Sequence, residues 1–512
     1  MTETYPFPPA VDDADRRRLD LVHPADWTNP DGKGRYDLVV IGAGAAGLVT
    51  AAGAAGLGAR VALIERNLLG GDCLNVGCVP SKGLIRAARA IADVRDAAEF
   101  GVSASCEPDF AAALARMRRI RAEIAPVDSA ARFRDELGVD VFIGDATFAD
   151  RESVVVRGPA GDRTLQFRRA VIASGARAAV PPVPGLVEAR PLTNETVFNL
   201  TERPARLFVV GGGPIGCELA QSFARFGTTV TIGDMADRVL PRDEPDASAR
   251  VRAALERDGV RLCLGIALER VERREDGVVV VTMKRGDRTE QVEADEILVA
   301  AGRKANIDGL GCEAAGVETR PRGVTVDARL RTTNKRIFAC GDVAIPWQFT
   351  HTADATARIV IQNALFFGRK RWTDLVVPWV TYTDPEVAHV GKTRAQLDQD
   401  GTPYDVYRVD FDDLDRALLD GEPEGFAEAL TEKGGERIFG ATIVARHAGE
   451  MIGELVLAMT HGIGLGGIAS TIHPYPTQSE AIRKLGDAYN RTRLTPRSAG
   501  ILQKLIRLRR VI

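Results

Sequence analysis

Tyr36-Asp37-Leu38-Val39-Val40-Ile41-Gly42-Ala43-Gly44-Ala45-Ala46-Gly47 is the stretch from which the fold can be read. Its apolar first half has the length and β-branched content of a buried strand. It runs straight into a glycine turn and an Ala/Gly-rich helix, and a second strand from Arg60 to Ile64 ends at Glu65. Strand, glycine turn, helix, strand and acid together form the dinucleotide fingerprint in its proper context. Gly42, Gly44 and Gly47 let the backbone approach a pyrophosphate at a helix N-terminus, and Glu65 can bind ribose hydroxyls.

The pattern recurs. Leu207-Phe208-Val209-Val210 leads into Gly211-Gly212-Gly213-Pro214-Ile215-Gly216, a helix, and a strand from Thr229 to Ile232 that Asp234 closes. In both copies the acid stands 18 residues after the last glycine, from 47 to 65 and from 216 to 234. Two fingerprints imply two dinucleotides, and hydride transfer needs a donor and an acceptor; a flavin and a nicotinamide are the natural pair. The acid at 234 favours NADH, because NADPH sites usually supply an arginine for the 2′-phosphate. Arg238 is near enough to keep NADPH open.

After the first copy comes Gly70-Gly71-Asp72-Cys73-Leu74-Asn75-Val76-Gly77-Cys78-Val79-Pro80-Ser81-Lys82. On a regular helix the Cα atoms of Cys73 and Cys78 would stand about 7.5 Å apart, whereas a disulfide needs them within about 7 Å. A bond between them therefore requires a distorted first turn, and Asn75 and Gly77 permit one. Lys82 follows Cys78 by four residues and so faces the same way on a helix. A cation there lowers the thiol pKa and favours the reactive thiolate. The pair reads as a redox-active dithiol feeding a cofactor, with two buried cysteines or a structural cross-link as the plainer readings. A cross-link gains little, because closing so small a loop removes little chain entropy. The usual zinc patterns need a second ligand pair nearby, so no structural metal site is expected.

Other strands end at polar positions suited to a cofactor. Ala170 to Ala173 runs into Ser174-Gly175, Asp295 to Ala301 ends at Gly302, and Arg336 to Cys340 ends at Gly341-Asp342. Residues 1–35, with scattered prolines, read as an extended arm, and the Arg116, Arg118, Arg119, Arg121 run reads as a solvated helix face. From about Val377 the texture changes to antiparallel strands and helices. Lys+Arg total 67 against 70 Asp+Glu, which gives no charge signature for nucleic acid. Seven cysteines in 512 residues are too few for a secreted disulfide scaffold. Cys106, Cys217, Cys263, Cys312 and Cys340 are isolated and read as small buried residues. Residues 1–35 do not read as a signal peptide, and no apolar run reaches the roughly 18 residues of a membrane span. The expectation is a cytoplasmic chain. At its end, Ile501, Leu502, Leu505, Ile506 and Leu508 alternate with Lys504, Arg507, Arg509 and Arg510. Such a basic amphipathic helix can lie on the anionic inner face of a membrane or pack on its own dimer.

These motifs resemble the FAD-dependent pyridine nucleotide–disulfide oxidoreductases over roughly residues 36–485, and the GGxCxNxGCxPSK run at 70–82 is the most specific of them. Mercuric reductase is the nearest branch and dihydrolipoamide dehydrogenase the next. The resemblance implies an α/β fold of two doubly wound Rossmann-like domains plus a C-terminal α+β dimerisation domain. FAD-binding would fall to residues 36–188 and 307–376, NAD(P)-binding to 189–306 and dimerisation to 377–490, between an N-terminal arm (1–35) and a basic tail (491–512). FAD would lie along Gly42, Gly44, Gly47, Glu65, Gly71, Lys82, Ser174, Gly175, Gly341 and Asp342. NADH or NADPH would lie along Gly211, Gly213, Gly216, Asp234 and Gly302. The resemblance further implies a redox-active disulfide between Cys73, the outer thiol that exchanges with substrate, and Cys78, the inner thiol against the flavin. Lys82 would sit near flavin N5, ion-paired with Glu218. A homodimer would complete each site across a two-fold interface.

The acceptor is where the chain departs from its relatives. Disulfide reductases of this family carry an acid–base histidine before a Pro-Thr pair, with a glutamate five residues on. Here Tyr475 precedes Pro476-Thr477, with Glu480 five on. A phenol with a pKa near 10 is a poor proton shuttle at neutral pH. His473 aligns with the family's non-catalytic position. Mercuric reductases resemble this chain in carrying tyrosine there, and soft thiolates suit soft metals. Residues 1–72 and the C-terminal run Leu502 to Ile512 hold no cysteine, so the accessory thiols of mercuric reductases are missing. The expected function is NAD(P)H-driven electron flow through FAD to Cys73–Cys78 and on to a thiophilic, small-molecule or metal-thiolate acceptor bound transiently at the dithiol. A dihydrolipoamide dehydrogenase-type disulfide reductase and a membrane-surface flavoprotein serving a quinone or protein are the alternatives.

Overall fold

The computed structural model describes residues 10–158 and 161–510; residues 1–9 of the expected arm and 511–512 of the expected tail lie outside the described residues. Strand Arg35–Ile41 sits between Val61–Glu65 and Arg163–Ile172, parallel to both, with Leu38 opposite Val61 and Arg169. Asp140–Ile143 extends the sheet on one side, and Ile337–Ala339 pairs with the end of Arg163–Ile172. The other half of Arg163–Ile172 pairs antiparallel with Ser153–Arg157, which pairs in turn with Asp145–Phe148. Leu38, Val39 and Val40 are buried because both sheet faces are covered, which is why the strand reads as a continuous apolar run.

The second doubly wound sheet runs Arg261–Leu264, Thr229–Asp234, Arg206–Val210 and Glu296–Val299, all parallel. An antiparallel trio, Ala267–Arg273, Val279–Arg285 and Arg288–Ala294, flanks it. The third unit is a five-stranded antiparallel sheet in the order Pro378–Thr381, Glu386–Gly391, Ile438–Ala445, Phe426–Glu432 and Tyr404–Asp410. Helices Ala448–His461 and Glu480–Arg493 bury Leu455 and Leu485 on it. One apolar core joins all three units. Leu84 and Ala88 of the dithiol helix, Phe223 of the second fingerprint helix and Val387 and Phe426 of the third sheet share it. The thiols therefore stand where the units meet.

Three expectations need correction. Residues 13–22 of the expected extended arm form a helix, Asp13–Val22, capped by Asp12. The Arg116–Arg121 run is not wholly solvated, because that helix covers it. Arg121 bonds Asp15 at 2.8 Å, Arg118 bonds Asp12 at 2.6 Å, and Asp15 also holds Arg18 at 2.9 Å. Asp15 is 2% exposed and Arg121 1%. Finally, Cys106 is exposed, because it stands in a stretch without helix or strand; Cys217, Cys263, Cys312 and Cys340 are buried as expected. Among the described residues no helix is long and apolar enough to cross a membrane.

Candidate active site

A continuous cleft of about 2660 Å³ runs past both glycine turns and opens on the two thiols. The two turns are built alike. Gly42 and Gly211 take φ of +99° and +109°, and a Cβ there would lie 2.4 and 2.6 Å from the carbonyl oxygens of Ala173 and Ala300. Gly47 and Gly216 lie off the cleft, where the helix presses on the turn; a Cβ would meet the Gly42 or Gly211 oxygen at 1.8 or 1.9 Å. Gly44 and Gly213 both line the cleft; a Cβ at Gly213 would meet open space, and one at Gly44 would touch only the Gly71 Cα, at 3.7 Å. A side chain at either would fill the cradle in which backbone N–H groups meet a pyrophosphate. The two acids also act alike. Glu65 accepts the N–H groups of Ala43 (2.6 Å) and Asn67 (2.8 Å), and Asp234 those of Gly212 (2.5 Å) and Ala236 (2.7 Å). Burial pushes the Glu65 carboxyl above its usual range. Ser174, Gly175, Gly302, Gly341 and Asp342 line the same cleft. Burial pushes the Asp342 carboxyl up to about 6, against the pull of the Arg303 guanidinium 3.6 Å away.

The dithiol stretch is not one helix. Gly71–Val76 and Cys78–Asp96 are separate helices, broken at Gly77. A Cβ at Gly77 would lie 2.8 Å from the Asp72 oxygen and 3.4 Å from the Cys73 Cα, so the close approach of the two cysteines requires glycine. Both cysteines are free thiols here, and both line the cleft. Cys78 opens its helix, where the N-terminal dipole favours an anion. A hydrogen bond from Cys73 pulls the Cys78 thiol down to about 6; the Thr350 hydroxyl at 3.4 Å and the Lys82 charge pull the same way, while burial and Glu218 oppose them. The same hydrogen bond pushes the Cys73 thiol up. One thiolate and one thiol share a proton.

The structure brings Lys82 and Glu218 together, with Nζ 2.9 Å from Oε2. Glu218 Oε1 accepts the Tyr382 N–H at 2.9 Å, and Lys82 Nζ sits 4.3 Å from the centre of the Tyr382 ring. Sequence reasoning missed Tyr382, Thr350 and Arg303, which come from three distant segments. Arg303 bonds Asp72, beside Cys73, and the Ala176 carbonyl at 2.7 Å. It also missed the support behind the loop. Asn75, between the cysteines, accepts from Arg18 through its side chain and from Arg121 through its carbonyl at 2.7 Å, and it donates to Leu69 and Gly71. The acidic run of Asp12, Asp13 and Asp15 followed directly by Arg16, Arg17 and Arg18 was the available signal.

Tyr475 and Glu480 are not among the residues lining the cleft. Tyr475 is 69% exposed, and its hydroxyl donates to Asp415 at 2.6 Å, which pushes the phenol pKa up. Glu480 pairs with Arg483 at 2.8 Å, and His473 meets Glu454 at 2.9 Å. Leu418, Leu419, Leu457 and Ile472 are exposed on the same unit.

Two glycine cradles opening on a thiol pair define a nicotinamide-linked flavoenzyme of the dithiol type. The pyridine nucleotide-disulphide oxidoreductase family matches residues 36–358, and its dimerisation domain matches residues 377–485. The chain belongs to this family. It is 35% identical to a mercuric reductase of Streptomyces lividans over 88% of this chain and 95% of that one. It is also 35% identical to a dihydrolipoyl dehydrogenase of Bacillus subtilis, over 87% and 94%. The solved Cu(II) complex of the HOCl-induced flavoprotein disulfide reductase RclA from Escherichia coli matches with a TM-score of 0.80 at 30% identity, over 89% of this chain and 99% of that one. The protein is an FAD-dependent NAD(P)H oxidoreductase, and its dimerisation domain supports a homodimer. The cleft-lining glycines Gly44 and Gly213, with no side chain in either cradle, fit the two dinucleotides.

Proposed function

We propose that the first turn and Asp342 hold FAD, that the second turn and Asp234 hold NADH, and that Cys73 and Cys78 deliver electrons to a thiophilic acceptor, most simply Hg(II) or another thiol-bound metal ion. Bound FAD supplies two-electron transfer between the nicotinamide and the sulfur pair. The chain's own residues do the rest. Lys82 and Glu218 pin the dithiol helix to the second fingerprint helix, and Cys78 rests as the thiolate. Cys73, the neutral partner, is the group that exchanges with the acceptor. Asp234 disfavours a 2′-phosphate, and Arg238 turns to the Pro241 and Asp243 carbonyls.

The observation that carries the metal reading is Tyr475. In the dimer, Tyr475 of the partner subunit would stand where disulfide reductases hold their acid–base histidine, and Asp415 keeps its phenol protonated. A phenol whose pKa is raised is a poor relay for the proton that disulfide reduction must pass to the leaving thiolate, whereas a metal ion leaving as the element needs no such relay. The Cu(II)-bearing relative supports a metal acceptor. The net reaction balances as NADH plus Hg(II) giving NAD⁺, Hg(0) and a proton.

Anaerobic NADH oxidation with Hg(II) held by excess small thiol tests it. Many turnovers per flavin, lost in Cys73→Ser and Cys78→Ser, are expected. One stoichiometric binding event followed by inhibition would overturn the metal reading. A second reading, disulfide reduction of the dihydrolipoamide type, is favoured by the His473–Glu454 pair. Disulfide turnover that survives Tyr475→Phe and fails in His473→Ala would establish it instead.

A further inference from the structure

The helix Pro496–Arg509 has no buried residue. It is started locally: the Thr495 hydroxyl accepts the Ser498 N–H at 3.2 Å, and Pro496 takes the first turn, where its missing N–H costs nothing. An isolated helix of this length is marginal in water, so its open apolar face calls for a cover. At 100° per residue, Ile501, Leu502, Leu505, Ile506 and Leu508 fall within an arc of about 160°, and Lys504, Arg507 and Arg510 fall on the opposite side. The five aliphatic side chains are 49–61% exposed. Arg509, in the last turn and near the middle of the apolar arc, has a stem long enough to lift its charge out of it.

Charge says what the cover is. Between residues 490 and 510 there are seven Lys/Arg and no Asp/Glu, in a chain whose totals are 67 and 70 and whose net charge is −3. Packing against a second copy would explain the apolar arc, but it would not explain 21 residues without one carboxylate. An interfacial helix needs both features, because its aliphatic side chains enter the acyl boundary while its cations lie level with lipid phosphates. We propose that this helix docks the enzyme on an anionic phospholipid surface. Each Lys or Arg at such a surface is worth a factor of about five in affinity.

Co-sedimentation of the full-length, FAD-loaded enzyme with phosphatidylglycerol/phosphatidylethanolamine vesicles, against phosphatidylcholine vesicles, tests the proposal. Binding to the anionic vesicles alone is expected. Lys504→Gln/Arg507→Gln/Arg510→Gln together should weaken it by about 100-fold, and Leu505→Ser/Ile506→Ser should abolish it. Flavin content, NADH-driven flavin reduction and dimer mass should stay unchanged in both variants. Failure of the wild type to bind anionic vesicles would overturn the proposal, as would binding that survives both variants. A dimer that falls to monomer in Leu505→Ser/Ile506→Ser, with no vesicle binding by the wild type, would place the helix on the second copy instead.

Discussion

Cys78 concentrates the chemistry of the site at one sulfur. Its thiol is lowered to about 6, first by the Cys73 hydrogen bond and then by Thr350 and Lys82. A lowered pKa means the thiolate persists as pH falls from neutral and is lost only as pH drops through about 6. In the reduced enzyme, the ultraviolet thiolate absorbance that Cys78→Ser removes should therefore titrate with a midpoint near pH 6. Lys82→Met deletes the cation and leaves Glu218, whose charge opposes the thiolate, so the midpoint should rise by about one pH unit or more. An unchanged midpoint would mean that Lys82 acts only as a strut. Cys73, Cys78, Lys82 and Glu218 could all be named from the sequence, because motif spacing and family likeness carry them. Thr350 and Tyr382 could not, since each reaches the thiol pair only after distant helices and strands have packed.

At the scale of elements, the helix Asp13–Val22 is the main departure from the sequence reading. The scattered prolines of residues 1–35 and their lack of periodicity suggested an extended arm, because a helix that turns charges inward shows no apolar stripe. The charges are buried in pairs, Asp15 with Arg18 and Arg121, and that network holds Asn75 between the cysteines. Removing one partner from a buried ion pair costs about 3–5 kcal/mol, because the other charge is left uncompensated. Asp15→Ala should therefore lower denaturant stability by about that amount and slow reduction of the dithiol as well; a loss below about 1 kcal/mol would show that the network is hydrated. A distortion between the cysteines, by contrast, was legible in advance, with Asn75 and Gly77 both permitting it, since a disulfide cannot span five residues of regular helix. Its place at Gly77, where a Cβ would crowd the Asp72 oxygen, needed the structure.

For the whole molecule, the two sheets and their glycine turns followed from a repeated local pattern, whereas the completed site did not. Tyr475 and Glu480 stand outside the cleft of their own chain, and Leu457 and Ile472 are exposed beside them. On the proposed reading, a dimer that covers this face would bring the partner subunit's Tyr475 to the thiols. Ile472→Asp should accordingly yield monomers, by light scattering, that are still reduced by NADH but fail to pass electrons to an acceptor. Monomers that keep full turnover would locate the acceptor site within one chain.

On the proposed function, the two sulfurs work in series with the flavin. An anaerobic titration of the oxidised enzyme, counting electrons per flavin, tests it most directly. Because the flavin and the disulfide are each two-electron couples, uptake of about four electrons is expected in the wild type and about two in Cys78→Ser. An endpoint of two electrons in both would contradict it, leaving Cys73 and Cys78 as bystanders to a simple flavin enzyme.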